Sequence, residues 1–177
     1  MKLIVLDRDG VINHDSAAYI KSPAEWRPIP GSLDAVARLN QAGFHVVVAT
    51  NQSGIGRGLF EMAALNAIHA KMHQALAQAG ARVEAIFFCP HTTGDNCGCR
   101  KPKTGMYENI ARRLNTSLTG VPMVGDSSRD IEAAAAVHGA PVLVLTGNGK
   151  KTRRAGNLPP DTRVFGDLAA AVDALAD

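Results

Sequence analysis

Five short apolar runs rich in β-branched residues punctuate this chain: Leu3–Leu6, His45–Ala49, Ala85–Phe88, Pro122–Val124 and Val142–Leu145. Runs of this length without polar alternation mark strands whose two faces are both covered, the usual condition of a parallel sheet. Between them lie helical periods. Ser32 to Ala42 follows Pro30-Gly31 and stops before Gly43, a residue suited to the left-handed turn that closes a helix. Glu61 to Ala79 sets Met62, Leu65, Ile68, Met72, Leu76 and Ala79 three or four apart and stops at Gly80. Thr104–Leu114 and Ser128–His138 are two more. Strands and helices in alternation predict right-handed crossovers and a doubly wound, Rossmann-like α/β parallel sheet. At 177 residues, one domain spanning 1–177 is expected, long enough to bury a sizeable core. The basic, glycine-rich stretch Gly147 to Pro160 reads as a solvated loop.

In such sheets ligands bind beyond the carboxyl ends of the strands, and the polar clusters of this chain fall there. Asp7 and Asp9 follow the first strand two residues apart, so strand alternation points both into one crevice. They read either as a solvated Asp-Gly turn or as a working pair, one carboxylate ionised and the other carrying a proton. Thr50-Asn51-Gln52-Ser53 after the second strand supplies a hydroxyl, an amide and turn N–H groups, fit for phosphate oxygens or for a helix cap. Arg100-Lys101-Pro102 holds a cation rigidly before a proline. Gly125-Asp126-Ser127-Ser-Arg-Asp130 places two carboxylates one helical turn apart, where Ser127 and Asp130 could also simply cap a helix.

Taken together and in this order, the four clusters resemble the signature of the haloacid-dehalogenase-like phosphatase superfamily: DxDGT or DxDGV, then T or S, then K, then GDxxxD. The resemblance runs from Leu3 to about Leu145. It implies Asp7 as a nucleophile that forms an aspartyl-phosphate, and Asp9 as general acid and then base. It implies Mg²⁺ held by Asp7, the Asp9 carbonyl and Asp126, with Asp130 behind them holding Lys101 or a metal-bound water. Thr50 and Asn51 would bind phosphate oxygens, and Lys101 would neutralise the transferring group. Partners then narrow to a small anionic substrate. The net charge of +3 argues against nucleic acid, and no apolar run reaches the roughly 18 to 20 residues of a membrane helix. The apolar start, Met1 to Leu6, stops at Asp7, short of a secretory core of roughly 7 to 15 residues. A cytoplasmic monomer is expected.

All three cysteines lie in Cys89-Pro-His-Thr-Thr-Gly-Asp-Asn-Cys-Gly-Cys-Arg-Lys-Pro102. Cys89, His91, Cys97 and Cys99 spell C-x-H-x₅-C-x-C, three thiolates and an imidazole that match a closed tetrahedral structural Zn²⁺ site. Free buried thiols, a disulfide or a redox C-x-C pair are the competing readings; an odd cysteine count suits a reducing compartment better than a disulfide framework.

A zinc loop placed before Arg-Lys-Pro resembles the branch of the superfamily that holds heptose 1,7-bisphosphate phosphatases and the histidinol-phosphate phosphatase domain. The stretches Gly10–Gly31 and Gly80–Pro102 are too short for the large cap domain of other branches. Thr50-Asn-Gln-Ser-Gly-Ile-Gly-Arg-Gly-Leu-Phe60 has the form TNQSGIxRGxF of the heptose enzymes, whereas histidinol phosphatases usually carry TNQDG. The resemblance implies hydrolysis of the 7-phosphate of the bisphosphate, a step toward lipopolysaccharide heptose. Arg57 would grip the non-reacting phosphate, Arg100 that phosphate or a sugar hydroxyl, and Asn13, Asp15 and Tyr19 would recognise the sugar. Ser127 stands where the family commonly has lysine, which puts a contact there in doubt. A zinc-stapled binding module without catalysis is the reading from another class, and intact Asp7 and Asp9 speak against it.

Overall fold

Four-residue strands such as Leu3–Leu6 bury every side chain, so neighbours must cover both faces. In the computed structural model, which describes residues 1–176, they do. Strands β1 (Leu3–Leu6), β2 (His45–Asn51), β3 (Ala85–Cys89), β4 (Pro122–Gly125), β5 (Ala140–Val144) and β6 (Arg163–Phe165) form one parallel sheet. Its spatial order is β3-β2-β1-β4-β5-β6. Helices follow as α1 (Ser32–Gln41), α2 (Ser53–Gly56), α3 (Met62–Gln78), α4 (Gly105–Leu114), α5 (Ser128–Ala136), α6 (Gly149–Ala155) and α7 (Leu168–Leu175).

Alternation along β1 assigns the two layers. Ile4 and Leu6 join Val46 and Val48 in a core closed by α1, α3 and α7 through Val36, Leu39, Ile68, Met72 and Val172. Leu3 and Val5 face the other way, against Met106, Tyr107 and Ile110 of α4 and Ala133 of α5. Burial of such side chains stabilises by roughly 1.5–3 kcal/mol each. The sheet order reverses direction between β1 and β4, and there the two flanking loops part to leave a crevice at the carboxyl ends.

The doubly wound sheet expected from the apolar runs is present. Four elements lie outside that reading, the four-residue α2 among them. β6 is three residues long and partly exposed, too short to show alternation. α7, with the sequence LAAAVDAL, is apolar nearly all round, so no period stands out. The stretch read as a solvated loop, Gly147 to Pro160, contains α6, and its buried Thr152 donates to the Asp126 carbonyl at 2.8 Å. Half of that segment is therefore structural support for the end of β4. Among the described residues no helix is long and apolar enough to cross a membrane.

Candidate active site

The crevice is a cleft of about 410 Å³ whose lining draws on four strand ends: Asp7 and Asp9, Thr50 to Ser53, Arg100 and Lys101, Asp126 to Asp130. Residues as far apart in sequence as Asp7 and Asn148 meet there because parallel strands all end on the same edge.

At the end of β1 the Asp7 N–H donates to the Val124 carbonyl at 2.9 Å, which ties Asp7 to β4. Asp7 Oδ1 accepts from the Arg8 N–H at 2.8 Å and faces Lys101 Nζ at 3.3 Å. Its Oδ2 is left toward the cleft. Asp9 Oδ1 accepts from Arg8 Nε at 2.7 Å and from Asn13 Nδ2 at 3.0 Å, while Gln52 Nε2 reaches its Oδ2 at 3.4 Å. Gly10 turns the chain with φ +84°, and a Cβ there would meet Asp126 Oδ2 at 2.1 Å. Only glycine lets the β1 loop close on the β4 carboxylate.

Lys101 is 1% exposed. Its ammonium bonds Asp130 Oδ1 at 2.6 Å and the Ala49 carbonyl at 2.7 Å. Burial opposes its charge, but Asp130 and Asp7 outweigh that and hold the ammonium above its ordinary pKa. Asp130 is likewise buried, yet Lys101 and the Ser127 donors keep its carboxyl below the usual range. Its Oδ2 takes Ser127 Oγ at 2.9 Å and the N–H groups of Ser127 and Asp126 at 3.1 and 3.2 Å. Every Asp130 oxygen is occupied, so of its two expected roles it holds Lys101.

Asp9 is paired with Arg8, whereas Lys101 compensates Asp7 and Asp126 only in part. Burial first, then the nearby Asp130 charge, pushes the Asp7 carboxyl well above the ordinary range. The same two causes raise Asp126 to about 7, against Asn148 N–H and Lys101, which pull it down. Carboxylate oxygens of Asp7, Asp126 and Asp130 all lie within 4.8 Å of one another. Hard oxygen donors crowded without a matching cation fit a divalent ion such as Mg²⁺. Without metal, folding favours the protonated form of Asp126, because its pKa is raised from 3.8 to about 7. The folded state then binds more protons than the unfolded chain, so stability falls as pH rises through that window. Thermal unfolding of metal-free protein should show Tm dropping by roughly 5 °C or more from pH 5 to pH 8, with Mg²⁺ removing the drop. A metal-free Tm independent of pH would contradict the crowding.

The cysteine loop gathers as its spacing predicts. Cys89 Sγ lies 3.0 Å from Cys99 Sγ and 3.6 Å from Cys97 Sγ, and His91 Nδ1 is 3.5 and 3.4 Å from the Cys89 and Cys99 sulfurs. All three cysteines are free, so no disulfide is formed. Tetrahedral zinc with ligand bonds of about 2.0–2.3 Å sets ligand atoms roughly 3.5–3.8 Å apart, which these four side chains match with small adjustment. Burial and the Cys99 thiol push the Cys89 thiol up to about 12, a cost that a bound cation would reverse. The loop is pinned elsewhere by Thr92 N–H and Oγ1 on Asp95 Oδ2, at 2.8 and 3.1 Å, and by Lys103 Nζ on the Cys97 carbonyl.

Several residues sit where the sequence reading did not put them. Asn51 spends its side chain on Lys101: Nδ2 donates to the Lys101 carbonyl and Oδ1 accepts its N–H, both at 3.1 Å. It aligns the Lys101 turn while also lining the cleft where a phosphate contact was expected of it. Asn13 is fully buried behind Asp9, away from the cleft and from any sugar. Ser127 caps α5 through Asp130, which accounts for its hydroxyl. Thr50 Oγ1 accepts from Gln52 Nε2 at 2.8 Å and donates only a long 3.5 Å bond to the Asn51 carbonyl, which a better acceptor could replace. Asp15, Tyr19, Ser53 and Arg57 line the cleft together with Arg100.

Five lining residues were missed, Ser16, Ala17, Thr93, Arg129 and Asn148, and two of them bear on the charges of the site. Asn148 donates its N–H to Asp126 Oδ2 at 2.8 Å and its Nδ2 to Asp15 at 3.0 Å, across 133 positions of sequence. No local signal marks it beyond Gly147, where a Cβ would strike Asp126 Oδ2 at 2.3 Å. Arg129 lies inside the Gly125–Asp130 motif, in the first turn of α5, and that position was the available clue. Burial, then the charges of Arg129 and Arg57, lowers the Arg100 pKa, so both neighbours lie close enough to repel the Arg100 guanidinium.

Residues 2–138 match the haloacid dehalogenase-like hydrolase family, a family of hydrolases. The chain is 62% identical over 175 residues to the D-glycero-β-D-manno-heptose-1,7-bisphosphate 7-phosphatase of Bordetella bronchiseptica, covering 99% of this chain and 98% of that one. It is 56% identical over 170 residues to the protein of that name from Neisseria meningitidis, with 95% and 91% covered. A crystal structure of the D,D-heptose 1,7-bisphosphate phosphatase from B. bronchiseptica, complexed with magnesium and phosphate, matches with a TM-score of 0.97 at 62% identity over 99% of this chain and 98% of that one. With a family match over most of its length and relatives this similar from end to end, the chain belongs to the haloacid dehalogenase-like hydrolases.

Proposed function

We propose that this chain is a Mg²⁺-dependent phosphatase that removes the 7-phosphate of D-glycero-β-D-manno-heptose 1,7-bisphosphate, acting as a single-domain cytoplasmic monomer. The observation that carries it is Asp7: a part-buried carboxylate with Oδ1 held by Arg8 N–H and Lys101, lining a cleft that Asp9 shares. Relatives named for this activity at 62% and 56% identity support the choice of substrate and of the β anomer.

In this mechanism Asp7 Oδ2 attacks phosphorus in line with the leaving sugar oxygen. A proton passes from Asp9 Oδ2 to that oxygen as its bond to phosphorus breaks. Asp9 then takes a proton from water, which attacks the aspartyl-phosphate and releases inorganic phosphate. Lys101 balances the charge of the transferring group, and the Thr50 hydroxyl donates to one of its oxygens. Asp7, the Asp9 carbonyl and Asp126 would hold Mg²⁺, which lets two anions approach and offsets charge in the transition state. Cys89, His91, Cys97 and Cys99 would hold Zn²⁺ as a structural ion. Arg57 and Arg100, joined by Arg129, suit a second, non-reacting phosphate, since the repulsion of Arg100 by its two neighbours at the rim is relieved by an anion.

The test is phosphate release from the α and β heptose bisphosphates, fructose 1,6-bisphosphate and histidinol phosphate. The β heptose should lead in kcat/KM, by roughly 10²-fold or more over histidinol phosphate. Preference for histidinol phosphate would overturn the assignment.

A further inference from the structure

Between the two cleft carboxylates stands Arg8, and it points away from the cleft. It is fully buried. Its Nε donates to Asp9 Oδ1 at 2.7 Å, its Nη1 meets His69 Nε2 at 3.1 Å, and its Nη2 has no partner among the described residues. A guanidinium only donates, so His69 Nε2 accepts and the ring proton sits on Nδ1. Burial, with Arg8 and His73 acting in the same direction against Asp9, pushes the His69 imidazole down to about 4, so the ring is neutral as an acceptor must be.

An ion pair whose guanidinium is fully buried is a weak stabiliser, because desolvating that group is costly and an apolar side chain would fill the same space. What such a pair supplies is direction, since the planar fork fixes the groups it bonds. Here its effect falls on one atom. Asp9 Oδ1 carries two donors from buried residues, Arg8 and Asn13, whereas Oδ2 receives only the 3.4 Å contact from Gln52. A carboxyl proton therefore belongs on Oδ2.

We propose that Arg8 and His69 are a positioning pair for the acid–base group: neutral His69 fixes the guanidinium, the guanidinium fixes Asp9 Oδ1, and Oδ2 is thereby presented to the leaving oxygen. This rests on Asp9 being the proton donor in the reaction above. The step is a proton transfer from Asp9 Oδ2 to the leaving sugar oxygen while that oxygen separates from phosphorus and Asp7 Oδ2 bonds to it.

Leaving groups separate positioning from general damage. A sugar alkoxide needs the proton, and p-nitrophenolate departs as a stable anion without it. The value of kcat/KM reports the steps through this departure, so it is measured on heptose bisphosphate and on p-nitrophenyl phosphate for each Mg²⁺-loaded variant. Asp9→Asn, the control, should lose roughly 10²-fold or more on the sugar and under about 10-fold on the aryl ester. His69→Leu and Arg8→Met should lose about 10- to 100-fold on the sugar and under about 3-fold on the aryl ester. His69→Gln, which keeps a neutral acceptor, should restore the sugar rate to within about 3-fold of the parent. If Asp9→Asn loses both substrates equally, the acid–base assignment itself fails. If Asp9→Asn discriminates but folded Arg8 and His69 variants lose neither substrate or both alike, the positioning pair fails. Should Arg8→Met and His69→Leu not fold, Arg8→Lys is read by the same criterion, since it keeps the charge without the fork.

Discussion

Asp7→Asn leaves a folded protein whose turnover falls by roughly 10⁴-fold or more. An amide of the same shape keeps the Arg8 N–H and Lys101 contacts on its oxygen but offers no nucleophilic oxyanion on the other side. Stability should move the opposite way. Burial and the neighbouring acids Asp130, Asp126 and Asp9 all disfavour ionised Asp7, so removing its charge relieves the metal-free protein at neutral pH. Lys101 loses little, because Asp130 and the Ala49 carbonyl still hold it. Turnover measured with melting curves tests both halves. Residual activity above about 1% in a variant melting at or above the parent would remove Asp7 as the nucleophile.

Metal depletion followed by selective reloading should separate two ions with different tasks. Protein stripped of both and given only Zn²⁺ should recover its melting temperature at pH 5, where Asp126 is protonated, but not its turnover. Given only Mg²⁺, it should remain impaired in substrate binding and melt lower by roughly 5–10 °C. Both together should restore it. The reason lies in the connectivity. The four zinc ligands close residues 89 to 99 into a loop, and Arg100 and Lys101 follow directly on the last of them. Arg100 N–H contacts Cys97 Sγ at 3.4 Å, so loosening that sulfur loosens the turn that carries Lys101. Asp7 and Asp126, by contrast, are the side chains proposed to hold Mg²⁺ in the cleft where the phosphate would react. Turnover restored by Zn²⁺ alone would refute this division, and so would an active preparation holding far less than one zinc per chain.

Legibility varied with how local each signal is. Asp7 and Asp9 could be aimed at a common crevice because strand side chains alternate, and that same alternation sends Arg8 to the opposite side. The alternation says nothing of what meets Arg8 there, since His69 lies 61 positions away on α3. Thr50-Asn51 read as a phosphate-binding pair because both are polar at a strand end. That Asn51 also pairs with the backbone of Lys101 depends on a contact across 50 positions. Gly147 to Pro160 looked solvated because its lysines and arginines dominate the composition. One threonine among them, Thr152, decides that α6 packs under Asp126.

From sequence alone came the alternating strands and helices, the acids at the strand ends and the cysteine spacing, since each is written within a few residues by side-chain period or ligand geometry. Tertiary structure alone decided which carboxylates share a charge and which residues only brace others. Asp130 is neutralised by Lys101 while Asp7 and Asp126 stay crowded, and Asn13, Asn51 and Arg8 hold the working groups from behind. Those outcomes follow from burial and from distances of a few ångströms between segments far apart in the chain, quantities that no local pattern encodes.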